Sequence, residues 1–261
     1  MNDNMKQKIM ELREAMKESS YEWDDPSDQA QGLPQPPLEK ASYGSKVIPL
    51  TKDFDHVIRN NNFLSVLNNR TSKRKYTEQP ITLEELSFLL WATQGVKQVI
   101  GKKNQATLRN VPSAGARHPF ETYLLVHRVE GLEPGLYHYL ALEHKLEFIR
   151  ELENLSDRIS EATYGQVFLG NAAVDFVWSV MPYRCEWRYT LDAHKYILLD
   201  AGHVCENLYL ACEAIGCGTC AIGAYNQVLI DSLIGLDSMP SDENDNEFVV
   251  YLAPVGKVTN E

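Results

Sequence analysis

Arg109-Asn-Val-Pro112-Ser113-Ala114-Gly115-Ala-Arg117-His118-Pro119 leads straight into Phe120-Glu-Thr-Tyr-Leu-Leu-Val-His127. The first half reads as a loop of small residues and the second as an alternating, strand-like run. A backbone without bulky side chains lets a planar ligand come close. Upstream, Arg70-Thr-Ser72-Lys73-Arg74-Lys75-Tyr76 gathers four cations and two aliphatic hydroxyls into six positions of a chain whose formal net charge is −11. This cluster follows an apolar helical turn at Phe63, Leu64 and Leu67 and precedes Pro80, which places it where a helix end runs into a loop. Donors there converge readily on a phosphate. Alone, so short a basic run serves solubility equally well. Downstream, Gly216-Cys-Gly218-Thr219-Cys-Ala-Ile222-Gly223-Ala224-Tyr225 is a glycine-rich entry to a short strand, and Phe248-Val-Val-Tyr-Leu-Ala-Pro254-Val255-Gly256-Lys257 closes the chain's apolar part.

In this order and at this spacing the four segments resemble the flavin-dependent nitroreductase superfamily, and within it the SagB/ThcOx-type dehydrogenases. The resemblance extends over residues 60–257. It is also carried by Thr82-Leu-Glu-Glu-Leu with Leu-Leu-Trp91-Ala-Thr-Gln-Gly95, and by Gly131-Leu-Glu-Pro-Gly-Leu-Tyr-His-Tyr139. It implies an α+β fold, a three-layer α-β-α sandwich around a mainly antiparallel sheet, and a homodimer that binds FMN at its interface with residues from both subunits. By the same resemblance Arg70 and Ser72 hold the phosphate, and Arg74 reaches the pyrimidine edge of the ring or the ribityl chain. Pro112, Ser113, Ala114 and Gly115 line the ring, and the strand at Ile222, Gly223 and Ala224 offers backbone donors toward the redox nitrogen. Lys257 is a further phosphate contact. Lys195 and Tyr196 match the adjacent Lys-Tyr pair implicated in catalysis in the azoline oxidases of that group.

The chemistry agrees. A flavin takes a hydride at one ring nitrogen while negative charge develops at the opposite edge, so a nearby cation stabilises the reduced form. Converting an azoline to an azole removes a hydride and a proton, and a desolvated lysine or a tyrosinate can take the proton. The expected activity is therefore FMN-dependent dehydrogenation of a small or peptidic substrate. Two alternatives stand beside it: reduction of nitroaromatics or quinones by NAD(P)H, and a flavin-binding scaffold without turnover that serves a modification complex. No G-x-G-x-x-G follows a strand, so NAD(P)H would visit the flavin itself as a transient donor.

At 261 residues and 44% hydrophobic, the chain has material for one substantial core, with or without an appendage. An excess of acid over base argues against nucleic acid as a partner. No apolar run approaches the roughly eighteen residues of a membrane span, and the first residues lack a signal-peptide pattern, so a soluble, cytoplasmic protein is expected. Cys212, Cys217 and Cys220 have the C-x4-C-x2-C spacing of one iron–sulfur class. With Cys205 they sit in helical and strand patterns where a thiol behaves as a small buried hydrophobe, so they are read as core and no metal site is assigned.

Residues 1–59 read as an N-terminal helix with an apolar stripe at Met5, Ile9, Leu12 and Met16, followed by an acidic, proline-rich extended arm from Glu22 to Pro37 suited to a partner subunit; residues 60–261 form the FMN-binding domain. Thr82 with Glu85 forms a capping box and Gly95 ends that helix. Strands are expected at 121–128, 135–140, 145–150, 172–180, 218–223 and 247–252. A helix over about 192–215 carries Ile197, Ala201, Val204, Leu208, Ala211 and Ile215 on one stripe, widened by Leu198, Leu199, Tyr209 and Leu210 toward a second buried face, as a dimer would need. On that helix Asp200 and His203 read as a buried hydrogen-bonded pair in preference to a metal or acid/base pair. Arg117, His118 and the run Tyr183–Tyr189 shape substrate access or form a surface loop.

Overall fold

The computed structural model describes residues 2–17, 26–44, 46–236 and 246–259. Its elements in chain order are α1 (Asp3–Ala15), α2 (Asp28–Gln31), β1 (Val47–Pro49), α3 (Phe63–Asn69), α4 (Leu83–Gln94), β2 (Val96–Ile100), β3 (Ala106–Arg109), β4 (Phe120–Val126), β5 (Gly135–Leu140), β6 (Lys145–Arg150), α5 (Leu155–Ala162), β7 (Val174–Val180), α6 (Tyr183–Tyr189), α7 (Ala193–Ile215), β8 (Cys217–Thr219), α8 (Gln227–Ile234) and β9 (Phe248–Lys257). Seven strands form one sheet in the order β1-β6-β5-β4-β7-β9-β8, each neighbour antiparallel, while β2 and β3 make a separate ribbon. The ribbon and β1 lie outside the strands expected from sequence, being short segments with little alternation.

Successive side chains of a strand point to opposite faces, and here both faces are covered. Leu124, Val126, Phe176 and Trp178 pack with Leu86, Leu89 and Leu90 of α4 and with Val204, Leu208 and Ala211 of α7. Tyr123, Leu125 and Val177 pack on the other side with Ile159 of α5 and Ile230 and Leu233 of α8. The result is the three-layer sandwich around a mainly antiparallel sheet. Being central, β4 is buried along its whole length, so its polar members Glu121 and Thr122 lie inside and do not mark a solvent face as alternation would suggest.

Burying Glu121 requires partners. Arg184 reaches its Oε1 at 2.5 Å, the Lys40 N–H donates to the same oxygen at 2.7 Å, and His138 Nε2 lies 2.8 Å from Oε2. Burial alone would raise this carboxyl's pKa; Arg184 and the His138 hydrogen bond outweigh it and hold the group well below the usual range. Lys40 also pairs with Glu247 at 2.5 Å, and the Tyr43 N–H donates to Glu147 at 3.0 Å. Residues 38–44 are thus tied across their own chain's sheet, and Tyr183 and Trp187 of α6 bond to Asp28 and to the Leu33 carbonyl. The expectation for the arm at residues 22–25 lies outside the described residues.

Local rules hold at α4: Thr82 Oγ1 accepts from Glu85 N–H and the Glu85 carboxylate accepts from Thr82 N–H. The helix ends at Gly95 in an extended conformation, and any Cβ there would collide with the Trp91 indole. Two strand boundaries differ from expectation by more than two residues. β9 runs on past Pro254: Val255 accepts the Ala173 N–H on the β7 side, so Pro254, which has no N–H, faces the β8 side just beyond the last β8 pair, Thr219–Val255, where no ladder bond is lost. β8 stops at Thr219, leaving a single bridge from Ile222 to Leu252, because Ala221 N–H turns away to a side chain of α7. All five cysteines are buried, unpaired core residues, Cys185, Cys205, Cys212 and Cys217 on the α4–α7 side and Cys220 on the other. Among the described residues no helix is long and apolar enough to cross a membrane.

Candidate active site

Arg70 caps α3, and the basic segment then lies along the sheet's β8–β9 end without becoming a strand. Lys73 N–H donates to the Thr219 carbonyl and Thr77 N–H to the Lys257 carbonyl, each at 2.9 Å. The Tyr76 hydroxyl donates to the Lys73 carbonyl at 2.8 Å, and the approach needs glycine, since a Cβ on Gly218 would strike the Lys73 side chain and one on Gly256 the Tyr76 ring. Arg70 and Lys73 are half-buried; Ser72, Arg74 and Lys75 are exposed. Among the described residues none of these four cations forms an ion pair with a carboxylate. Gathered like charges repel unless an anion joins them, and in a chain of net charge −11 an uncompensated cluster fits a phosphate-bearing group.

α7 reaches this loop through Tyr209. Its hydroxyl oxygen accepts the Ala221 N–H at 2.7 Å and hydrogen-bonds with Ser72 Oγ at 3.0 Å, while the Arg70 guanidinium lies 5.3 Å from the ring centre. Arg70, Ser72 and the 221–224 segment, distant in sequence, therefore meet at one phenol. Ile222 is buried; Gly223 and Ala224 are exposed, with open space where a Gly223 Cβ would stand. In sequence Tyr209 reads only as one member of an apolar stripe, and nothing in that periodicity marks its hydroxyl.

Nine residues earlier, about 13 Å along the helix axis, Asp200 holds the second loop. Its Oδ2 accepts from Ser113 Oγ at 2.5 Å and its Oδ1 from Ala114 N–H at 3.2 Å; Ser113 Oγ in turn accepts the His118 N–H at 2.9 Å. These bonds hold a tight left-handed stretch in which Gly115, Ala116 and His118 have φ of 53°, 54° and 45°. Burial raises the Asp200 pKa, and the Ser113 and Ala114 bonds oppose the rise. The expected Asp200–His203 pair is not what forms: His203 is exposed and its Nδ1 lies 4.0 Å away, because the buried carboxylate faces the loop. His118 is buried, and desolvation together with nearby Arg109 lowers its pKa to about 3, so the imidazole is neutral. Arg117 is buried as well, donating from Nε to the Arg184 carbonyl at 2.9 Å and lying 5.0 Å over Trp187. The run Tyr183–Tyr189 is α6, with Arg184, Cys185 and Trp187 buried, and is not a surface loop.

Lys195 and Tyr196 occupy the first turn of α7, both half-buried. The Tyr196 ring meets Tyr189 edge-on at 4.9 Å, and a Cβ on Gly115 would collide with the Tyr189 hydroxyl, so Tyr189 sits between the pair and the Gly115 turn. The same turn of α7 borders a cleft of about 490 Å³ lined by Glu186, His194, Ile197, Leu198, Tyr225 and Phe248, among others, with neither Lys195 nor Tyr196 on its wall. His194 Nε2 and Glu186 Oε1 are 2.8 Å apart across it. Lys257 is buried and its ammonium pairs with Glu85, which also accepts from Arg59 at 3.2 Å.

Comparison with known proteins gives this arrangement a context. The model of the Nitroreductase family matches residues 67–257. The protein MJ1384 of Methanocaldococcus jannaschii, named as a nitroreductase, is 32% identical over 192 residues, covering 74% of this chain and 89% of its own. The trifolitoxin-processing protein TfxB of Rhizobium leguminosarum bv. trifolii is 29% identical over 138 residues, which are 49% of this chain and 35% of that one. A nitroreductase-like crystal structure from Ralstonia eutropha superposes with a TM-score of 0.63 at 24% identity, covering 88% of this chain and 96% of that chain.

Proposed function

We propose, for a chain that belongs to the nitroreductase family and is thereby an FMN-dependent oxidoreductase, that it dehydrogenates a small or peptidic heterocycle, azoline to azole, as a homodimer with FMN in its basic loop. The observation that carries this reading is the set of four cations, free of carboxylate partners among the described residues, tied through Tyr209 to the 221–224 segment. When bound, FMN accepts a hydride and returns the electrons to O2 or another acceptor.

This chain's residues do the rest. Arg70 and Ser72 hold the phosphate, and Arg74 reaches the pyrimidine edge or the ribityl chain. Pro112, Ser113, Ala114 and Gly115 line the ring, fixed in place by Asp200. Backbone N–H groups of Gly223 and Ala224 face the redox nitrogen; the Ile222 N–H is already donated to the Leu252 carbonyl at 2.8 Å and its carbonyl accepts the Leu252 N–H, so Ile222 does not serve as a donor there. Lys257 supports the loop from behind: its carbonyl accepts the Thr77 N–H while its ammonium belongs to Glu85, which leaves it poorly placed for the phosphate. Hydride loss from an azoline carbon requires a proton to leave the neighbouring position, and Lys195 or Tyr196 receives it. The cleft bordered by the first turn of α7, with Ile197, Leu198 and Phe248 on its walls, takes the apolar body of the substrate. The exposed apolar residues Leu198 and Leu199 of α7 and Phe63 and Leu64 of α3 form the surface assigned to the second subunit. The trifolitoxin-processing relative favours a peptidic substrate; the relative named as a nitroreductase favours a second reading, NAD(P)H-dependent reduction of nitroaromatics or quinones.

The test is the visible spectrum and FMN stoichiometry of the purified protein, followed by turnover with an azoline peptide and, separately, with NAD(P)H and a nitroaromatic or quinone. Lys195→Met and Tyr196→Phe, which keeps the edge-on packing on Tyr189, are expected to lower azoline turnover at least about tenfold with flavin still bound. Rapid NAD(P)H-dependent reduction without azoline oxidation selects the second reading. Bound flavin with no turnover in either assay, left unaltered by both changes, selects the scaffold.

A further inference from the structure

Tyr209 is the point at which three parts of the site meet, and no role for it follows from the family match. We infer that Tyr209 is a positioning residue for phosphate recognition, orienting the Ser72 hydroxyl so that its proton points at the anion. The inference rests on the FMN reading above.

The bond pattern supports it. The phenol oxygen already accepts the Ala221 N–H at 2.7 Å, and a backbone N–H can only donate. The phenolic proton is then free for Ser72 Oγ, 3.0 Å away. A serine oxygen that accepts from tyrosine keeps its own O–H for another acceptor, and beside Arg70 that acceptor is an anionic oxygen. The reverse orientation would direct the Ser72 proton into the protein and turn lone pairs toward the anion, which is repulsive. The ring contributes as well, because the Arg70 guanidinium lies 5.3 Å from its centre and is held there by a cation–π contact. Fixed on α7 by its packing among core residues, Tyr209 thus keeps Arg70, Ser72 and Ala221 in one register before any ligand arrives. Such preorganisation lowers the ordering cost of binding.

Tyr209→Phe removes the hydroxyl and keeps the ring. The assay is fluorescence titration of the apoprotein with FMN, and in parallel with riboflavin, which lacks the phosphate, for wild type, Tyr209→Phe, Ser72→Ala and the double variant. Circular dichroism of each apoprotein confirms that the fold is kept. Tyr209→Phe, which also leaves the Ala221 N–H without its acceptor, is expected to weaken FMN binding about 3- to 10-fold and riboflavin binding by a clearly smaller factor. Ser72→Ala should weaken FMN binding similarly, and in the double variant the preference for FMN over riboflavin should fall no further than in Ser72→Ala alone, because the hydroxyl acts on the phosphate through Ser72. Unchanged FMN affinity in Tyr209→Phe overturns the inference, as do losses of that preference that multiply in the double variant or an equal loss for riboflavin. If wild type takes up FMN no better than Arg70→Ala, the phosphate site itself is misplaced and the role of Tyr209 falls with it. That pattern is distinct from one in which only the tyrosine is silent.

Discussion

Ser113→Ala tests the claim that α7 holds the Pro112–Gly115 loop in shape. The substitution deletes a hydroxyl that donates to the Asp200 carboxylate at 2.5 Å and accepts the His118 N–H at 2.9 Å. A hydrogen bond to a charged group contributes about 1.5–3 kcal/mol, and an orphaned N–H costs about 1 kcal/mol more. Ser113 is half-buried, so water recovers part of this, and a net loss of about 2 kcal/mol is expected. The loss has a definite pH dependence. Burial puts the folded-state pKa of Asp200 above its ordinary 3.8, with the Ser113 bond pulling it back. A raised carboxylate pKa means that the folded state holds its proton more tightly than the unfolded chain, so ionisation lowers stability as pH rises through that interval. Ser113 lessens this penalty. Its removal therefore harms the ionised form most, and the gap to wild type is full well above the interval and narrows as pH falls toward 3.8. Urea unfolding of both apoproteins at pH 8 and near pH 4 measures the gap, and amide exchange over residues 113–118 shows whether the left-handed stretch loosens. A gap below about 0.5 kcal/mol at pH 8 with unchanged exchange, or a gap equal at both pH values, would show that something other than Asp200 holds the loop.

Arg70→Ala should weaken FMN binding by about 10- to 100-fold and flatten its dependence on ionic strength, read by titration at two salt concentrations; equal salt slopes would remove Arg70 from the phosphate. Lys257→Met breaks the buried pair with Glu85 and is expected to destabilise the apoprotein by about 3 kcal/mol, with Glu85→Gln in the same chain recovering part of it; thermal unfolding of the single and double variants decides this. His118 has its pKa lowered from 6.5 to about 3 in the folded protein, so the unfolded chain takes up a proton first and stability falls as pH drops from 6.5 toward 3. His118→Asn tolerates the left-handed backbone and should make that acid limb shallower, as followed by denaturant midpoints across the range. An unchanged limb would place the proton uptake elsewhere.

Local patterns in the chain were sufficient for the elements that answer to local rules. Strands Gly135–Leu140 and Lys145–Arg150 fall where expected, the Thr82–Glu85 capping box forms, and the long helix spans Ala193–Ile215. Periodicity and caps are set within one or two turns of chain, so they can be read before folding. The ordered motifs at 70–76, 109–119, 216–225 and 248–257 were likewise enough for the family, since they record spacing along the chain. Only the tertiary structure decided who faces whom. That Asp200 turns to Ser113 and not to His203, that Tyr209 joins Ser72 to Ala221, and that Lys257 belongs to Glu85 each depend on elements up to 172 residues apart being brought within 4 Å by the sheet register and helix packing. A polar side chain on a helix looks the same in sequence whether its partner is solvent, a neighbouring turn or a distant loop. What settles the matter is the cost of burying it unpaired, and that cost exists only once the core has closed.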